Sequence, residues 1–241
     1  MHRFFAQSLE DEQAILSPED AAHIRRVLRM LPGEILEVGD GAGNVYRAKL
    51  LETSGAGAVC RLYERLPLNP EPRCKVTLYQ GLPKLNKMDW IVEKCIEAGV
   101  TKIVPVQMRR SVPRLGEGGG KLTRWRTIAR AAATQCGRAI LPEVGEPLDF
   151  DRAVEQLAGV ALVPWEEEKG TGIRSVLQET GFQPEVSLII GPEGGMEPEE
   201  VEALTARGAK RVSLGPRIFR TETAGVAVLS MLLYEMGDMG G

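Results

Sequence analysis

Four cysteines and two histidines are all that 241 residues offer as soft metal ligands or disulfide partners. The cysteines stand at 60, 74, 95 and 136 with no Cys-x-x-Cys pair, so neither a zinc site nor a disulfide framework is expected. They read instead as small buried apolar side chains, and no metal is expected. Long apolar runs are missing too. The longest, Ala224 to Leu233, is interrupted by Ser230 and falls well short of a membrane span. The opening residues, Met1-His2-Arg3-Phe4-Phe5 before Glu10-Asp11-Glu12, lack the basic-then-apolar layout of a secretory leader. A cytoplasmic location with no membrane partner is therefore the expectation.

What is present is average in bulk and uneven in placement. Hydrophobic residues at 43% and charged residues at 26% exclude disordered and fibrous classes and suit one or two globular domains. The net charge of −3 conceals balances of −2 over residues 1–70, +9 over 71–140 and −10 over 141–241. Arginine outnumbers lysine 21 to 9, and its planar fork suits phosphate and base edges. The basic middle third reads either as a nucleic-acid footprint or as a solvated face paired with acidic neighbours.

The first 66 or so residues read as a small β-rich, barrel-like unit with one helix. Ser17-Pro18-Glu19-Asp20 combines a capping hydroxyl, a first-turn proline and acids near the helix amides. The helix runs through Ala21, Ala22, Ile24, Val27 and Leu28 to Leu31-Pro32-Gly33, with His23, Arg25, Arg26 and Arg29 outside. Strands are expected over Glu34–Val38, Val45–Leu51 and Ala58–Tyr63. The three prolines of Leu66–Pro72 mark a boundary between residues 1–69 and 73–241. Beyond it, strands at Lys75–Gln80, Thr101–Val106, Val160–Val163, Val186–Ile190 and Arg211–Leu214 alternate with helices, including Lys87–Ala98 and the basic Lys121–Gly137. That order gives an α/β fold with a mostly parallel sheet covered on both faces. Gly116–Gly120 reads as a mobile loop.

Three glycine-rich loops differ in meaning. Ile35-Leu36-Glu37-Val38-Gly39-Asp40-Gly41-Ala42-Gly43 resembles the glycine loop of Rossmann-type methyltransferases, but the alternating Asn44–Leu50 that follows is a strand, so Asp40-Gly41 reads as a hairpin turn. Ser187–Ile190 instead runs as a buried strand into Gly191-Pro192-Glu193-Gly194-Gly195, with Glu197-Pro198-Glu199-Glu200 opening a helix. Ligands of open α/β sheets bind at this end of the strands, and the glycines allow close backbone approach. Leu214-Gly215-Pro216-Arg217-Ile218-Phe219-Arg220-Thr221-Glu222-Thr223 also leaves a strand for a helix, with Thr221 read as its cap. That helix is apolar nearly all round and needs burial on more than one side.

Leu188–Gly195, Leu214–Ala224, Lys84–Gly99 and Ile128–Arg138 together resemble the bacterial 16S ribosomal RNA uracil-N3 methyltransferases of the SPOUT superfamily. The resemblance covers essentially the whole chain. Met196 and Phe219 depart from the phenylalanine and leucine usual there, and Ile128–Gln135 lacks acids the family often carries. The resemblance implies a C-terminal SPOUT domain with a deep trefoil knot, a PUA-like N-terminal RNA-binding barrel, a homodimer through the apolar last helix, and S-adenosyl-L-methionine as cofactor. The implied partner is 16S rRNA of the small ribosomal subunit, methylated at N3 of one uridine.

On that footing the cofactor is expected against Val163, Pro164, Gly191, Pro192, Glu193, Gly194 and Gly195, and against Leu214, Gly215, Pro216, Ile218, Phe219, Arg220 and Thr223, with Trp165 and Glu166 beside its adenosine. Arg220 is the expected catalytic residue facing the uracil, with Glu222 the weaker candidate as proton acceptor. The lesser alternative for Arg220 is an ion pair with Glu222 or Glu193. RNA is expected on Arg25, Arg26, Arg29, Lys84, Lys87, Arg130, Gln135 and Arg138, with Arg109, Arg110, Arg114, Arg124 and Arg126 alongside. A ribose 2′-O-methyltransferase on the same fold and a non-catalytic RNA-binding protein are the two competing readings.

Overall fold

The computed structural model describes residues 2–67, 70–114 and 120–240, so positions 116–119 of the glycine stretch lie outside the described residues. The chain forms two compact units, Met1–Glu71 with Arg130–Leu141, and Pro72–Ala129 with Pro142–Gly241.

The first unit is built from β1 (Arg3–Phe5), β2 (Ser8–Glu10), β3 (Gln13–Leu16), α1 (Pro18–His23), β4 (Ile35–Gly39), β5 (Val45–Thr53) and β6 (Ala58–Leu66). They form one curled six-stranded sheet in the order β1-β4-β5-β6-β3-β2, with β1 parallel to β4 and the other pairs antiparallel. Phe4, Leu16, Ile24, Leu36, Val38 and Leu50 fill its core. Ser17 caps α1 by accepting the Asp20 N–H at 3.0 Å. The helix then widens into a π-helical turn, Ile24–Leu28, that ends at Arg29 with φ +54°. The wider turn rotates Val27 outward, 65% exposed, whereas an unbroken α-helix would have buried it beside Ile24. The Gly39–Gly43 loop is a hairpin turn between β4 and β5. Asp40 accepts hydrogen bonds from the Ala42 and Asn44 amides at 2.7 and 3.0 Å and holds the turn closed.

The second unit contains β7 (Lys75–Gly81), α2 (Lys87–Glu97), β8 (Lys102–Gln107), α3 (Lys121–Cys136), β9 (Glu143–Val144), β10 (Leu148–Asp149), α4 (Phe150–Glu155), β11 (Val160–Pro164), α5 (Ile173–Thr180), β12 (Glu185–Ile190), α6 (Pro198–Ala206), β13 (Lys210–Val212) and α7 (Thr221–Glu235). The residues of α3 from Arg130 onward cluster with the first unit. The seven strands pair in parallel throughout, in the order β10-β8-β7-β12-β11-β13 with β9 also on β8. Strand alternation divides the core. Tyr79 and Ile189 pack with Ala153 of α4 and Val201 and Leu204 of α6, while Leu78 and Gln80 face Gly225 of α7 and Cys95 of α2. Helices thus cover both faces. α2 stops at Gly99, whose φ of +105° suits glycine alone.

Three of the cysteines match the expected role. Burial pushes the thiols of Cys60, Cys74 and Cys95 up to about 12. Cys136 is the exception, being exposed near the end of α3. Among the described residues no cluster of His, Cys, Asp and Glu is placed to hold a metal ion, and no helix is long and apolar enough to cross a membrane.

Candidate active site

Adjacent strands β12, β11 and β13 end side by side, and the loops leaving them enclose a cavity of about 660 Å³. That is ample for a cofactor-sized ligand, and it sits at the carboxyl end of the sheet where such ligands bind. The β11 loop contributes Pro164, Trp165, Glu166, Glu168 and Lys169, the β12 loop Gly191 to Met196, and the β13 loop Ser213 to Arg220. Lys87 at the start of α2 and Thr221, Glu222 and Ala224 at the start of α7 complete the wall.

Of the positions assigned to the cofactor, Pro164, Gly191 to Gly195, Leu214 to Pro216 and Ile218 to Arg220 all line this cavity. Val163 and Thr223 do not. Val163 points into the apolar core beneath, fully buried, and Thr223 lies on the exposed side of α7. Glycine is required here by contact as well as conformation. A Cβ on Gly191 would lie 3.2 Å from the Gly195 carbonyl carbon, and Gly195 and Gly215 have φ of +72° and +91°.

A chain of hydrogen bonds fixes the floor. The Gln80 side-chain amide donates to Thr221 Oγ1 at 3.0 Å, and Thr221 Oγ1 donates to the Gly191 carbonyl at 2.6 Å. Thr221 is therefore not the helix cap. Arg220 occupies the cap position of α7 without a side-chain cap bond, and its carbonyl accepts the Thr223 and Ala224 amides at 2.9 Å each. The Thr221 hydroxyl serves the loop instead. Gln80, fully buried at the end of β7, escaped the sequence reading. Its one signal was a polar side chain inside an apolar strand.

Lys87 is the electrostatic centre of one wall. Its Nζ lies 3.0 Å from Glu193 of the β12 loop and 3.1 Å from Glu222 of α7. Hydrogen bonds to Glu193 and then Glu222 hold the ammonium above the ordinary lysine value despite desolvation. Burial pushes both carboxyls up, but each group's own backbone amide and Lys87 outweigh it, leaving both below the ordinary glutamate range. Such a carboxylate is a weak base. The stability from this cluster is present above the unfolded glutamate pKa and is lost as pH falls through the lower folded one. Lys87→Met should therefore lie below wild type in thermal stability at pH 7, with the gap closing as the pH drops below the ordinary glutamate range. A gap that stays constant from pH 7 to 3 would assign Lys87 to packing alone.

Arg220 is exposed at the rim and makes no ion pair with the described residues, since Lys87 holds both candidate partners. The stretch to RNA is less uniform. Arg25, Arg26, Arg29, Lys84 and Gln135 are exposed. Lys87 belongs to the cavity wall rather than to an outer face. Arg130 pairs with Asp20 at 3.2 Å and lies over the Phe5 ring. Arg138 is only 4% exposed and grips Glu71 at 2.6 Å, while Glu71 also accepts the Ala139 and Ile140 amides. Buried and paired in this way, Arg138 holds the first unit together and presents nothing to a phosphate. Much of the basic middle is likewise answered locally, by Arg109–Glu199, Arg110–Glu197, Arg124–Asp89 and Arg126–Glu146.

Comparison with known proteins assigns this architecture. The family described as an RNA methyltransferase domain matches residues 69–233, and the RNA methyltransferase PUA domain family matches residues 16–62. A Mycobacterium bovis relative, ribosomal RNA small subunit methyltransferase E, is 33% identical over 94% of this chain and 88% of its own length. The chain belongs to this RNA methyltransferase family. A Bacillus subtilis member of the same name is 31% identical, covering 98% of this chain and 97% of that one. Among solved structures, a Legionella pneumophila methyltransferase with bound S-adenosylmethionine superposes with a TM-score of 0.87 at 30% identity, covering 97% of both chains. The Neisseria gonorrhoeae ribosomal RNA small subunit methyltransferase E bound to S-adenosyl methionine gives 0.86 at 26% identity, again over 97% of both. The cavity and its three loops thus belong to a methyltransferase.

Proposed function

We propose that this methyltransferase transfers a methyl group from S-adenosylmethionine to N3 of one uridine in 16S rRNA of the small ribosomal subunit. The observation that carries this reading is the glycine-walled cavity at the ends of β11, β12 and β13, with an unpaired arginine at its mouth. Residues 1–69, joined in their compact unit by Arg130–Leu141, serve as the PUA-like RNA-binding unit, and the rest of 73–241 as the methyltransferase unit, threaded with the knot of the superfamily. Met231 and Tyr234, 38% and 61% exposed on the largely apolar α7, suit a homodimer interface, and the cytoplasm is the setting.

The cavity fits the cofactor in size and in the backbone approach its glycines permit. When bound, the cofactor supplies an electrophilic methyl group. The residues of the chain then have separate tasks. The three loops orient the donor, for which alignment of reacting atoms can supply about 7–11 kcal/mol. Arg220 faces the uracil and stabilises the charge that spreads onto O2 and O4 when N3 gives its proton to solvent water. Glu222, kept ionised by Lys87, is too weak a base to take that proton and instead ties α7 to α2. Arg25, Arg26, Arg29 and Lys84 meet phosphates and position the RNA without reading it. The target base leaves its stack to enter the site.

The test is methyl transfer from labelled S-adenosylmethionine to small subunits lacking the modification, followed by digestion and mass identification of the labelled nucleoside. N3-methyluridine is the expected product. A ribose-methylated nucleoside would discard the uracil mechanism, and RNA binding without cofactor binding would leave only a binding module.

A further inference from the structure

The Gly191–Gly195 loop is held from outside the cavity as well as from its floor. The segment that leaves β8 brings Arg109 and Arg110 against it. Arg110 Nε and one terminal nitrogen each bond a different oxygen of Glu197 at 2.9 Å, and its other terminal nitrogen donates to the Gly194 carbonyl at 2.7 Å. The bidentate pair uses the fork geometry that only arginine has. Behind it, the Glu200 carboxylate, 2% exposed, accepts the Arg109 amide and the Glu197 amide at 2.9 Å each. Glu197 is the cap residue of α6, so the loop, the helix start and the β8 segment form one lattice. Contact reinforces it. A Cβ on Gly194 would lie 3.0 Å from Arg110 Cβ, so any side chain at Gly194 would crowd Arg110 on the outside.

We infer that Arg110 is a positioning residue of the methyl-donor site. By drawing the Gly194 carbonyl outward and anchoring the loop to the cap of α6, it sets the orientation of the peptide planes that line the cavity. It touches neither uracil nor the reacting atoms, and it contributes to cofactor affinity rather than to the chemical step. This inference rests on the reading of the cavity as the S-adenosylmethionine site. The basic charge of Arg110, which the sequence alone assigned to an RNA footprint, is directed at the loop by its three hydrogen bonds.

The pair is partly exposed, with 40% and 31% of the two side chains accessible, so salt screens it and the effect is moderate. Arg110→Ala should raise the cofactor Kd, measured by calorimetry without RNA, about tenfold. Arg110→Lys should lose nearly as much, because one ammonium cannot span both Glu197 oxygens and the Gly194 carbonyl. Glu197→Gln gives an intermediate loss from the other side of the same pair. Single-turnover transfer at saturating cofactor should stay within about threefold of wild type, and the wild-type Kd should weaken with salt more steeply than that of Arg110→Ala. Wild type binding the cofactor while all three variants bind it equally well would overturn the inference and leave the cofactor site standing. A normal Kd with collapsed single-turnover rate would overturn it too, placing Arg110 on the RNA or the chemistry. Wild type that binds no S-adenosylmethionine would sink the site reading itself, and the inference with it.

Discussion

Arg220→Ala should lower the rate of methyl transfer by about a hundred- to a thousandfold while changing the cofactor Kd by less than about threefold. Its position makes the separation of effects possible. The Arg220 backbone is locked as the cap of α7, with its carbonyl taking two helix amides, so the substitution removes a side chain without loosening the loop. Among the described residues the guanidinium closes no ion pair, since Lys87 lies within 3.1 Å of both Glu193 and Glu222, though its charge is felt at Glu222. A cation left unpaired at the mouth of a cavity is available to an anion that forms there. Single-turnover transfer and calorimetry on the same preparation decide the matter. Loss of cofactor binding with unchanged saturated rate would make Arg220 a wall residue. Glu222→Gln should cost less, since its carboxylate serves Lys87 and not the proton on N3.

The contrast between Arg220 and Lys87 shows how far charge can be read from sequence. Both were visible as cations, Arg220 beside a glycine loop and Lys87 in the basic middle third, and only the folded chain separates the paired one from the unpaired one. The same holds for the basic middle third. Its charge was plain from composition, but Asp20, Glu71, Glu146 and Glu197 reach Arg130, Arg138, Arg126 and Arg110 from distant parts of the chain, and no spacing rule connects them. What was legible had local causes. Ser187–Ile190 followed by Gly191-Pro192-Glu193-Gly194-Gly195 shows a buried strand and a loop in consecutive residues, and the alternation of Asn44–Leu50 exposed the Gly39–Gly43 loop as a turn. What was not legible had non-local or very short causes. β1, β2 and β3 are three or four residues each, too short for alternation to register. The partner of Gln80 lies 141 residues away. The π-helical turn that exposes Val27 carries no residue pattern that distinguishes it from α-helix.

Gly81→Ala should bring the tightest new contact on the Gly191–Gly195 loop, and it separates contact from conformation. Gly81 ends β7 with ordinary strand geometry, so alanine meets no backbone strain there. Its Cβ, however, would lie 2.7 Å from both the nitrogen and Cδ of Pro192 and 2.9 Å from Met108 Sδ. The methionine can swing aside. Pro192 cannot, because those atoms are backbone and ring of the cavity loop, pinned on one side through Gly191 to Thr221 and on the other through Gly194 to Arg110. The loop must therefore shift as a body. Overpacking of this kind costs about 1–3 kcal/mol of stability, and the displaced peptides should weaken cofactor binding by more than about thirtyfold. Gly215 offers the converse. No protein atom lies within 4 Å of its added Cβ, but its φ is +91°, so Gly215→Ala brings strain of about 1–2 kcal/mol with no steric push on the Gly191–Gly195 loop. Denaturant unfolding and cofactor calorimetry on both variants should show similar losses of stability and unequal losses of affinity. Equal affinities would mean that Pro192 yields freely and that the loop is not held in the way its contacts indicate.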